Sequence, residues 1–322
     1  QYWAMTRGCR GLLIAIDGER FVYHAQLPDG MKGSDELGLD WLFRSVGRKF
    51  PLELYGSADW TAGFALVADR YTDPHNRVFL VGDAAHLFTP TGGQGYNTTV
   101  DDAANLGWKL AAACKGWGGS ELLATYEGER KPIGHRNTGF ARAMADSIGR
   151  IPVPECIEDD TPEGAAARAE IGPKLELHCN TEFDIPGIHF GVFYRDSTIV
   201  SHDGTPPPVD DWHRYTPHAT PGARAPHLWV SDGVSIFDRF GRDFTLLRLG
   251  GGVNADARTL TAAAAQRGIP LDVLDVPGAE ARELYARDYV LIRPDHHVAW
   301  RGNSLPADPG ALLDRVTGRR AG

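Results

Sequence analysis

The sequence is poor in cysteine, in long apolar runs and in net positive charge, and each shortage excludes a class of protein. Four cysteines, Cys9, Cys114, Cys156 and Cys179, are spread over 322 residues. No two of them form a CxxC pair, which argues against a zinc knuckle, a thiol redox centre and a disulfide framework. We therefore expect reduced thiols and a cytoplasmic location.

No apolar run approaches the roughly 18 residues that a membrane-spanning helix needs, and no signal peptide is evident. Acidic residues outnumber basic ones by 42 to 33, which gives a formal net charge of −9. This balance disfavours general binding to nucleic acid or to an anionic membrane. Glycine, by contrast, is abundant at 38 residues, which indicates tight turns and close approaches of the backbone to a ligand.

Apolar periodicity predicts short strands, then helices, then a small α/β unit. Before residue 70 it predicts strands at 11–16, 21–26, 52–55 and 61–68 and a helix at 35–48. Helices are predicted at 120–132 and within 133–176, and six prolines make 201–226 a semi-rigid linker. After the linker we expect strands at 244–249, 271–276, 289–293 and 298–301, and helices at 255–267, 281–284 and 311–319.

The segment that points to chemistry is Arg77–Ala113. An apolar run at 77–81 predicts a strand buried on both faces, and Asp83 follows its carboxyl end, where ligands of open α/β sheets bind. Residues 87–97 are predicted to be a glycine-rich loop that leads into a helix at 98–114. The apolar stripe of that helix comprises Val100, Ala103, Ala104, Gly107, Leu110, Ala111 and Cys114.

The residue types in this segment suit a flat, polar ligand. The Asp83 carboxylate could accept hydrogen bonds from sugar-type hydroxyls. Gly92, Gly93 and Gly95 allow close backbone approach, and the free N–H groups of a helix start stabilise developing negative charge. Asp83 alone would read as a turn residue, so it is the ordered string around it that carries weight.

That string is GDAAH at 82–86, followed by PTGGQGYNTTVDDAANLGWKLA at 90–111. It resembles the second FAD-binding motif of class A flavin-dependent aromatic hydroxylases. The resemblance continues in patches over most of the chain, at 65–70 and 123–132. The patches at 221–227 and 235–238 resemble the branch that acts on phenols and polyketides and carries a thioredoxin-like C-terminal domain.

The resemblance implies a mixed α/β and α+β fold. It would comprise the C-terminal portion of a glutathione-reductase-type FAD-binding fold with a β-sheet substrate domain, and a thioredoxin-like domain. The implied boundaries are 1–70 for part of the substrate-binding middle sheet, 71–200 for the rest of the FAD-binding domain and a helical segment, 201–226 for the linker and 227–322 for the thioredoxin-like domain. Residues 227–322 contain no cysteine, which favours a dimerisation or stabilising role.

The implied function is hydroxylation of a phenolic or polyketide-type ring, through a flavin C4a-hydroperoxide, with FAD as cofactor and NADPH or NADH and O₂ as co-substrates. In the matched motif Asp83 would bind the FAD ribityl chain and Pro90 would lie beside the flavin ring. The loop that would contact the pyrimidine edge comprises Gly92, Gly93, Gln94, Gly95, Tyr96 and Asn97. His86 would help to hold the loop. The catalytic base is not identified.

The sequence also departs from the family pattern. The GxGxxG fingerprint, its acidic ribose ligand and the middle DG motif are absent, and the chain opens with Gln1-Tyr2-Trp3. Either a missing N-terminal portion of about one domain precedes it, or this chain does not bind FAD alone. Two alternatives therefore stay open: a related flavoenzyme that performs Baeyer–Villiger oxidation or epoxidation, and a non-catalytic binding or dimerisation fragment.

For other candidate residues, a purely structural interpretation has equal or greater weight than a functional one. Trp60 and Phe64 are predicted either to line the substrate cavity or to pack in the core. Adjacent His296 and His297 would point to opposite faces of a strand, so we expect no metal site there. The prolines around His213 and His218 place both on the surface. The expected partners are a small aromatic substrate and a second copy in a homodimer, without nucleic acid or membrane.

Overall fold

The structure is a computed structural model that describes residues 2–28, 30–61, 64–249 and 257–319. The chain divides into two compact units. The first comprises 1–63 and 144–182, and the second comprises 64–143 and 183–322. The boundaries expected from the sequence at residues 70, 200 and 226 divide the chain differently and stay a prediction.

The first unit contains a three-stranded antiparallel sheet of β1 (Tyr2–Thr6), β2 (Cys9–Ala15) and β3 (Phe21–Ala25). Helix α1 (Asp35–Val46) begins at Ser34, whose side chain accepts a hydrogen bond from the amide of Leu37. The hydroxyl of Tyr23 joins β3 to α1 through the Ser45 hydroxyl at 2.7 Å. The predicted hairpin and helix are confirmed. Strand β1 was not predicted, and residues 52–55 form no strand, so that prediction is wrong.

The helices that follow are longer than the sequence pattern indicates. Helix α2 spans Gln94–Cys114, α3 spans Thr125–Gly149 and α4 spans Pro162–Phe183. Helix α3 continues through Pro132, where a stop was predicted, since one proline removes a single backbone donor and the rest of the helix keeps its contacts. In the first unit, Ile148, Ile151, Ile157 and Ile171 pack together beside Trp3 and Met5.

The second unit contains a four-stranded sheet with the order β11-β10-β8-β9. Its strands are β8 (Phe244–Leu249), β9 (Leu271–Val276), β10 (Tyr289–Ile292) and β11 (Val298–Gly302), and only β8 and β9 are parallel. The helices are α6 (Arg258–Gln266), α7 (Ala279–Tyr285) and α8 (Pro309–Val316). This is the thioredoxin-like arrangement that the sequence predicts, although residues 255–256 of the predicted helix lie outside the described residues.

The central strands β8 and β10 of that sheet are buried on both faces, whereas the edge strand β9 is partly exposed. Along β8, Phe244 and Leu246 belong to one core, while Leu247 and Leu249 belong to the other, because alternate side chains point to opposite faces. The first core also contains Trp108 of α2 and Trp117, so helix α2 packs into the same hydrophobic cluster as the C-terminal sheet.

Smaller elements complete the second unit. They are β4 (Leu66–Val67), paired with β5 (His86–Leu87), helix α5 (Pro186–Phe190), and the hairpin of β6 (Trp229–Ser231) and β7 (Val234–Ser235). The proline-rich segment 201–226 is partly packed, with Ala219 and Ala225 fully buried. Of the helices that the structure describes, none combines the length and the apolarity of a membrane span.

The apolar run at 77–81 is where strand prediction fails most clearly. Within the described chain it makes one isolated bridge, between Thr72 and Phe79, and Val78 is exposed. Phe79, Leu80 and Val81 instead pack on one side against Tyr71 and Tyr126. The run is thus partly buried rather than buried on both faces. The strand predicted at 61–68 likewise shrinks to β4, with residues 62–63 outside the described part.

Candidate functional site

A single turn positions Asp83 beside helix α2. Residues Gly82–Ala84 form one turn of 3₁₀-helix, closed by the amide of Ala85 on the carbonyl of Gly82 at 2.8 Å. Gly82 has φ = +62°, and a Cβ there would lie 2.8 Å from the side chain of Thr99 on α2. The turn therefore packs closely on the helix, and Asp83 is left exposed.

Two consecutive glycines make the bend that starts helix α2. Gly92 has φ = +72° and Gly93 has φ = +64°, both in the left-handed region that other residues avoid. The amide of Gly93 donates to the carbonyl of Pro90 at 3.1 Å. A Cβ on Gly92 would lie 2.7 Å from the Phe140 ring, whereas one on Gly93 would meet no atom within 4 Å. The backbone at Gly93 thus borders open space.

Helix α2 begins at Gln94, four residues before the predicted start at Thr98, so the glycine-rich loop is shorter than expected. Its N-cap is Gly93, and no side-chain hydrogen bond caps it in the described chain. The buried side chain of Gln94 donates back to the carbonyl of Gly92, and Asn97 donates to that of Gly93, each at 2.8 Å. These bonds hold the turn and leave the first amides of the helix to an anionic or polar ligand.

A row of buried polar side chains runs along one face of α2, from its second turn towards its C-terminus. The buried residues include Thr98, Asp102, Asn105 and Lys109, at spacings of four, three and four residues. The predicted apolar stripe, from Val100 to Leu110, is exposed instead, which corrects that expectation. The polar row faces inward because charged partners on α3 and the C-terminal sheet satisfy it.

The upper part of this row holds the start of the helix. His86 Nε2 lies 2.7 Å from Asp102 Oδ2, and the other oxygen of Asp102 accepts from Arg130 Nε at 2.7 Å. Arg130 also donates to the carbonyl of Thr98 at 3.4 Å. Burial opposes ionisation of Asp102, but His86 and Arg130 outweigh it and lower its pKa. His86 is thus a fully buried structural partner of α2, which agrees with its predicted role in holding the loop.

The lower part forms what we call the buried charge cluster, which comprises Lys109, Glu129, Arg293 and Asp295. Glu129 accepts from Lys109 Nζ at 2.7 Å, and from the two terminal nitrogens of Arg293 at 2.6 and 2.8 Å. Arg293 also pairs with Asp295 at 2.6 Å. The four side chains are at most 2% exposed, and their formal charges sum to zero.

The pKa values of the cluster favour the charged forms of its acids. Burial raises the pKa of Glu129, yet Arg293 and Lys109 outweigh it and bring that pKa below its ordinary value. Burial likewise opposes ionisation of Asp295, but Arg293 and His297 hold its pKa well below the usual range. Burial lowers the pKa of Lys109 to about 8, against the attraction of Glu129.

The remaining predicted residues fall in different places. Pro90, Tyr96 and Asn97 are exposed around the start of α2, and Gly95 is half-buried. Trp60 is 61% exposed and makes an edge contact with His24, and Phe64 is 55% exposed, so neither is a core residue in its own unit.

The histidines also differ from expectation in part. His213 is exposed, as predicted, but His218 is half-buried, because the proline-rich segment packs down. His296 and His297 lie in the turn between β10 and β11, not in a strand. His296 stacks on Phe237 and His297 stacks on Tyr194, so the two rings belong to separate surroundings.

Sequence reasoning missed Arg130, Glu129, Arg293 and Asp295. The signal that could have found them is the polar spacing of α2, since buried polar groups require partners. A single sequence does not show which charged residues are those partners, since they lie up to 190 residues away along the chain.

Comparison with known proteins agrees with the geometry of the loop and of the C-terminal sheet. The family described as FAD binding domain matches residues 50–141, and the family described as aromatic-ring hydroxylase, C-terminal, matches residues 218–320. The chain belongs to the FAD-dependent aromatic-ring hydroxylases. The chain contains an FAD-binding portion and a thioredoxin-like C-terminal portion, as the sequence resemblance implies.

Individual members of the hydroxylase family match most of the chain. An FAD-dependent monooxygenase of Emericella nidulans is 33% identical over 94% of this chain and 49% of its own length. A putative polyketide hydroxylase of Streptomyces halstedii is 32% identical over 92% of this chain and 54% of its own. The chain therefore spans about half the length of the curated relatives it matches.

Solved structures of hydroxylase relatives give the same picture. The rebeccamycin biosynthetic enzyme RebC, with bound 7-carboxy-K252c, is 40% identical, with a TM-score of 0.85 over 96% of this chain and 57% of its own. The flavin-dependent monooxygenase PieE, in complex with FAD and substrate, is 28% identical, with a TM-score of 0.83 over 98% of this chain and 60% of its own.

The residues present fit the flavin portion of FAD. The open space at Gly93 and the uncapped start of α2 provide a backbone surface for a planar, electron-rich ring. The exposed carboxylate of Asp83 lies on a turn packed against the same helix. These three features converge on one end of α2.

Proposed function

We propose that the protein is an FAD-dependent monooxygenase that hydroxylates a phenolic or polyketide-type aromatic ring, with NADPH or NADH and O₂. The observation that carries this proposal is the start of helix α2. There, two consecutive left-handed glycines deliver an uncapped helix terminus to open space. The family match and the substrate-bound relatives support the reaction class.

The residues of this chain would bind and orient rather than break bonds. FAD, when bound, supplies the transfer of reducing equivalents and the activation of oxygen. Asp83 would accept hydrogen bonds from hydroxyls of the ribityl chain. Pro90 would border the ring, and the backbone of 92–97 would contact its pyrimidine edge, where the positive end of α2 favours negative charge. Trp60 and Phe64, both exposed aromatic side chains, are proposed substrate contacts.

The test uses the full-length natural protein purified with its flavin. We expect a yellow protein whose oxidation of NADPH or NADH is stimulated by a phenolic substrate. Asp83→Ala should lower FAD content and raise the Kd for FAD by roughly tenfold, since a charged hydrogen-bond partner is worth ~1.5–3 kcal/mol. The matched control is Asp196→Ala, an exposed aspartate of the same unit, which should retain FAD.

Three results would refute parts of this proposal. A colourless, folded full-length protein that takes up no added FAD would leave only a binding or dimerisation role. Unchanged FAD affinity in Asp83→Ala would remove that residue from the site. Product analysis separates the reaction types, because an inserted ring oxygen or an epoxide in place of a hydroxyl group would indicate Baeyer–Villiger or epoxidation chemistry.

We further propose that an N-terminal portion of the same protein completes the site and holds the ADP half of FAD. Helix α2 presents an apolar face to solvent, with Val100 48% and Leu110 37% exposed. Val78 and Leu66, in the same unit, are 61% and 54% exposed. Such surface normally meets another segment. An intact mass of the natural protein that matches 322 residues would contradict this proposal.

The thioredoxin-like portion is proposed as a stabilising or dimerising module, because residues 227–322 contain no cysteine for thiol chemistry. Light scattering of the full-length protein tests the homodimer directly, and a monomer at all concentrations would exclude it. A cytoplasmic location is supported by the four cysteines, all of which are free.

A further inference from the structure

We infer that Arg293 and Asp295 are positioning residues of the proposed flavin site, acting through helix α2. This inference rests on the proposed function. Both residues belong to the turn between β10 and β11 of the thioredoxin-like portion, a part of the chain to which no flavin role has been given above. Their side chains reach the helix whose first turn would meet the flavin.

Asp295 binds helix α2 directly. Its Oδ2 accepts from Asn105 Nδ2 at 3.2 Å and from Trp108 Nε1 at 3.1 Å, and both donors lie on α2. Only 2% of the Asp295 side chain is exposed. Since a buried carboxylate holds donors with charge-assisted bonds, these contacts fix both the rotation of α2 and its position along its axis.

Arg293 reaches α2 through Glu129 of α3. The guanidinium holds both oxygens of Glu129, and the same carboxylate accepts from Asn105 and Lys109 of α2, each at 2.7 Å. The planar fork of arginine orients Glu129 in a way that a lysine could not. Asn105 consequently lies between Glu129 and Asp295 and bonds to both.

The network continues to the second turn of α2. The two hydrogens of Asn105 Nδ2 are shared among Glu129, Asp295 and the hydroxyl of Tyr194, which lies 3.3 Å away, and Arg130 donates to the same hydroxyl at 3.3 Å. Arg130 then holds Asp102 and the carbonyl of Thr98. A series of buried hydrogen bonds thus connects the β10–β11 turn to Thr98, the fifth residue of α2.

The charge balance of the cluster determines how this connection can be tested. Removing one member leaves an uncompensated buried charge, and the protein would be destabilised for that reason alone. Replacing Arg293 and Asp295 together leaves the direct Lys109–Glu129 pair and keeps the cluster neutral. The double variant Arg293→Met with Asp295→Asn therefore removes both charges, and the charge-assisted hydrogen bonds, that the β10–β11 turn contributes to the cluster.

The experiment compares full-length proteins loaded with FAD at a temperature well below the melting temperature of each variant. In Arg293→Met/Asp295→Asn we expect the Kd for FAD to rise about tenfold, as when supporting residues of a bound cofactor are lost. We also expect the midpoint potential of the bound flavin, measured at FAD saturation, to fall, because a misplaced α2 stabilises the reduced, anionic ring less.

The matched control is Arg248→Met with Asp275→Asn. This pair bridges β8 and β9 at 2.5 Å on the surface of the same sheet, so its loss makes the same chemical change outside the network. The Kd and the potential should equal those of the unsubstituted protein. If Arg293→Met/Asp295→Asn melts earlier but keeps both values, its role is structural only and the inference is overturned.

The inference and the proposed function fail in distinguishable ways. If the unsubstituted protein and the surface control bind no FAD, the proposed function falls and the inference falls with it. If both bind FAD and Arg293→Met/Asp295→Asn binds it equally well, only the inference falls.

A milder variant decides the matter if Arg293→Met/Asp295→Asn does not fold. Arg293→Lys keeps the charge and loses the fork, and we expect a Kd for FAD raised roughly threefold together with a lowered potential. Unchanged values in this variant would overturn the inference.

Discussion

Gly92 and Gly93 adopt left-handed conformations in succession, and the two differ in what surrounds them. A side chain at Gly92 would be driven into the ring of Phe140, whereas one at Gly93 would extend into open space. The first glycine therefore serves packing within the protein, and the second serves the approach of a ligand. The sequence alone does not show which of the two glycines has the packing role and which has the ligand-binding role.

At this scale we predict that Gly92→Ala destabilises the protein by about 2 kcal/mol or more, because alanine pays for the left-handed backbone and for the contact with Phe140. FAD affinity should fall as the bend opens. Chemical denaturation and FAD titration measure the two effects.

The control for this variant is Gly107→Ala, at an exposed position in the middle of α2, where a Cβ would meet no atom within 4 Å. In the 322-residue chain, where this face is exposed, it should increase stability by about 0.5–1 kcal/mol, since alanine is the better helix former. A Gly92→Ala protein as stable as the Gly107→Ala protein would contradict our account of the bend.

Helix α2 buries a row of polar side chains beside its buried apolar ones. Thr98, Asp102, Asn105 and Lys109 face inward together with Leu106, Trp108 and Ala112, whereas Val100, Ala103, Ala104 and Gly107 face outward. Periodicity located the helix and its C-terminus correctly and assigned its faces wrongly. A helix that buries charges and exposes alanines is typical of an element packed on both sides in a larger assembly.

For helix α2 we compare the replacement of alanine by glutamate at one exposed position and at one buried position. Ala104→Glu, on the exposed face, should leave the stability of the 322-residue chain within about 0.5 kcal/mol, as surface changes usually do. In the full-length protein it should reduce FAD retention, because the proposed N-terminal portion would cover this face. Ala112→Glu, at a fully buried position, should unfold the chain.

Thermal melting of both variants and the flavin content of the full-length Ala104→Glu protein provide the measurements. Full flavin content in that variant would place the covering segment elsewhere.

How far the sequence predicts each element depends on whether its signal is local. The strands Phe244–Leu249 and Leu271–Val276 match the prediction residue for residue, because each is a short apolar or alternating run bounded by turns. The apolar run at 77–81 has a similar local signal, yet among the described residues it pairs through a single bridge. Strand formation needs a neighbour, and a neighbour is a property of the fold rather than of the run. The cofactor loop was found through its ordered motif, whereas its supporting charges were not.

At the scale of the whole molecule, the buried carboxylates set the response to acid. Asp102, Glu129 and Asp295 have pKa values below their ordinary 3.8 to 4.5, since neighbouring cations outweigh the effect of burial. As pH falls, the unfolded chain takes up these protons before the folded chain does. Folded stability is therefore fully present above the ordinary pKa values and is lost as pH falls through and below them.

We predict a melting temperature that declines slightly as pH falls through about 6.5, because burial lowers the pKa values of His218 and His296, and that drops steeply below about pH 4.5. The Arg293→Met/Asp295→Asn variant lacks one of the three carboxylates and should show a shallower drop, while Arg248→Met/Asp275→Asn should follow the unsubstituted protein. Calorimetry across this range measures the slopes. Equal slopes in all three proteins would show that the buried acids do not govern acid unfolding.

The neutral cluster also restricts how members of this family can exchange parts. A chimaera joined at the proline-rich segment would bring a foreign C-terminal module against Glu129 and Lys109 without the Arg293 and Asp295 that bond to this part of the chain. Such a hybrid would keep the neutral Lys109–Glu129 pair, but Glu129 would lose the guanidinium of Arg293, and Asn105 and Trp108 would lose the carboxylate of Asp295. A successful graft would have to include the matching residues of α2 and α3 together with the module. The segment that must be exchanged as a whole is therefore larger than the domain.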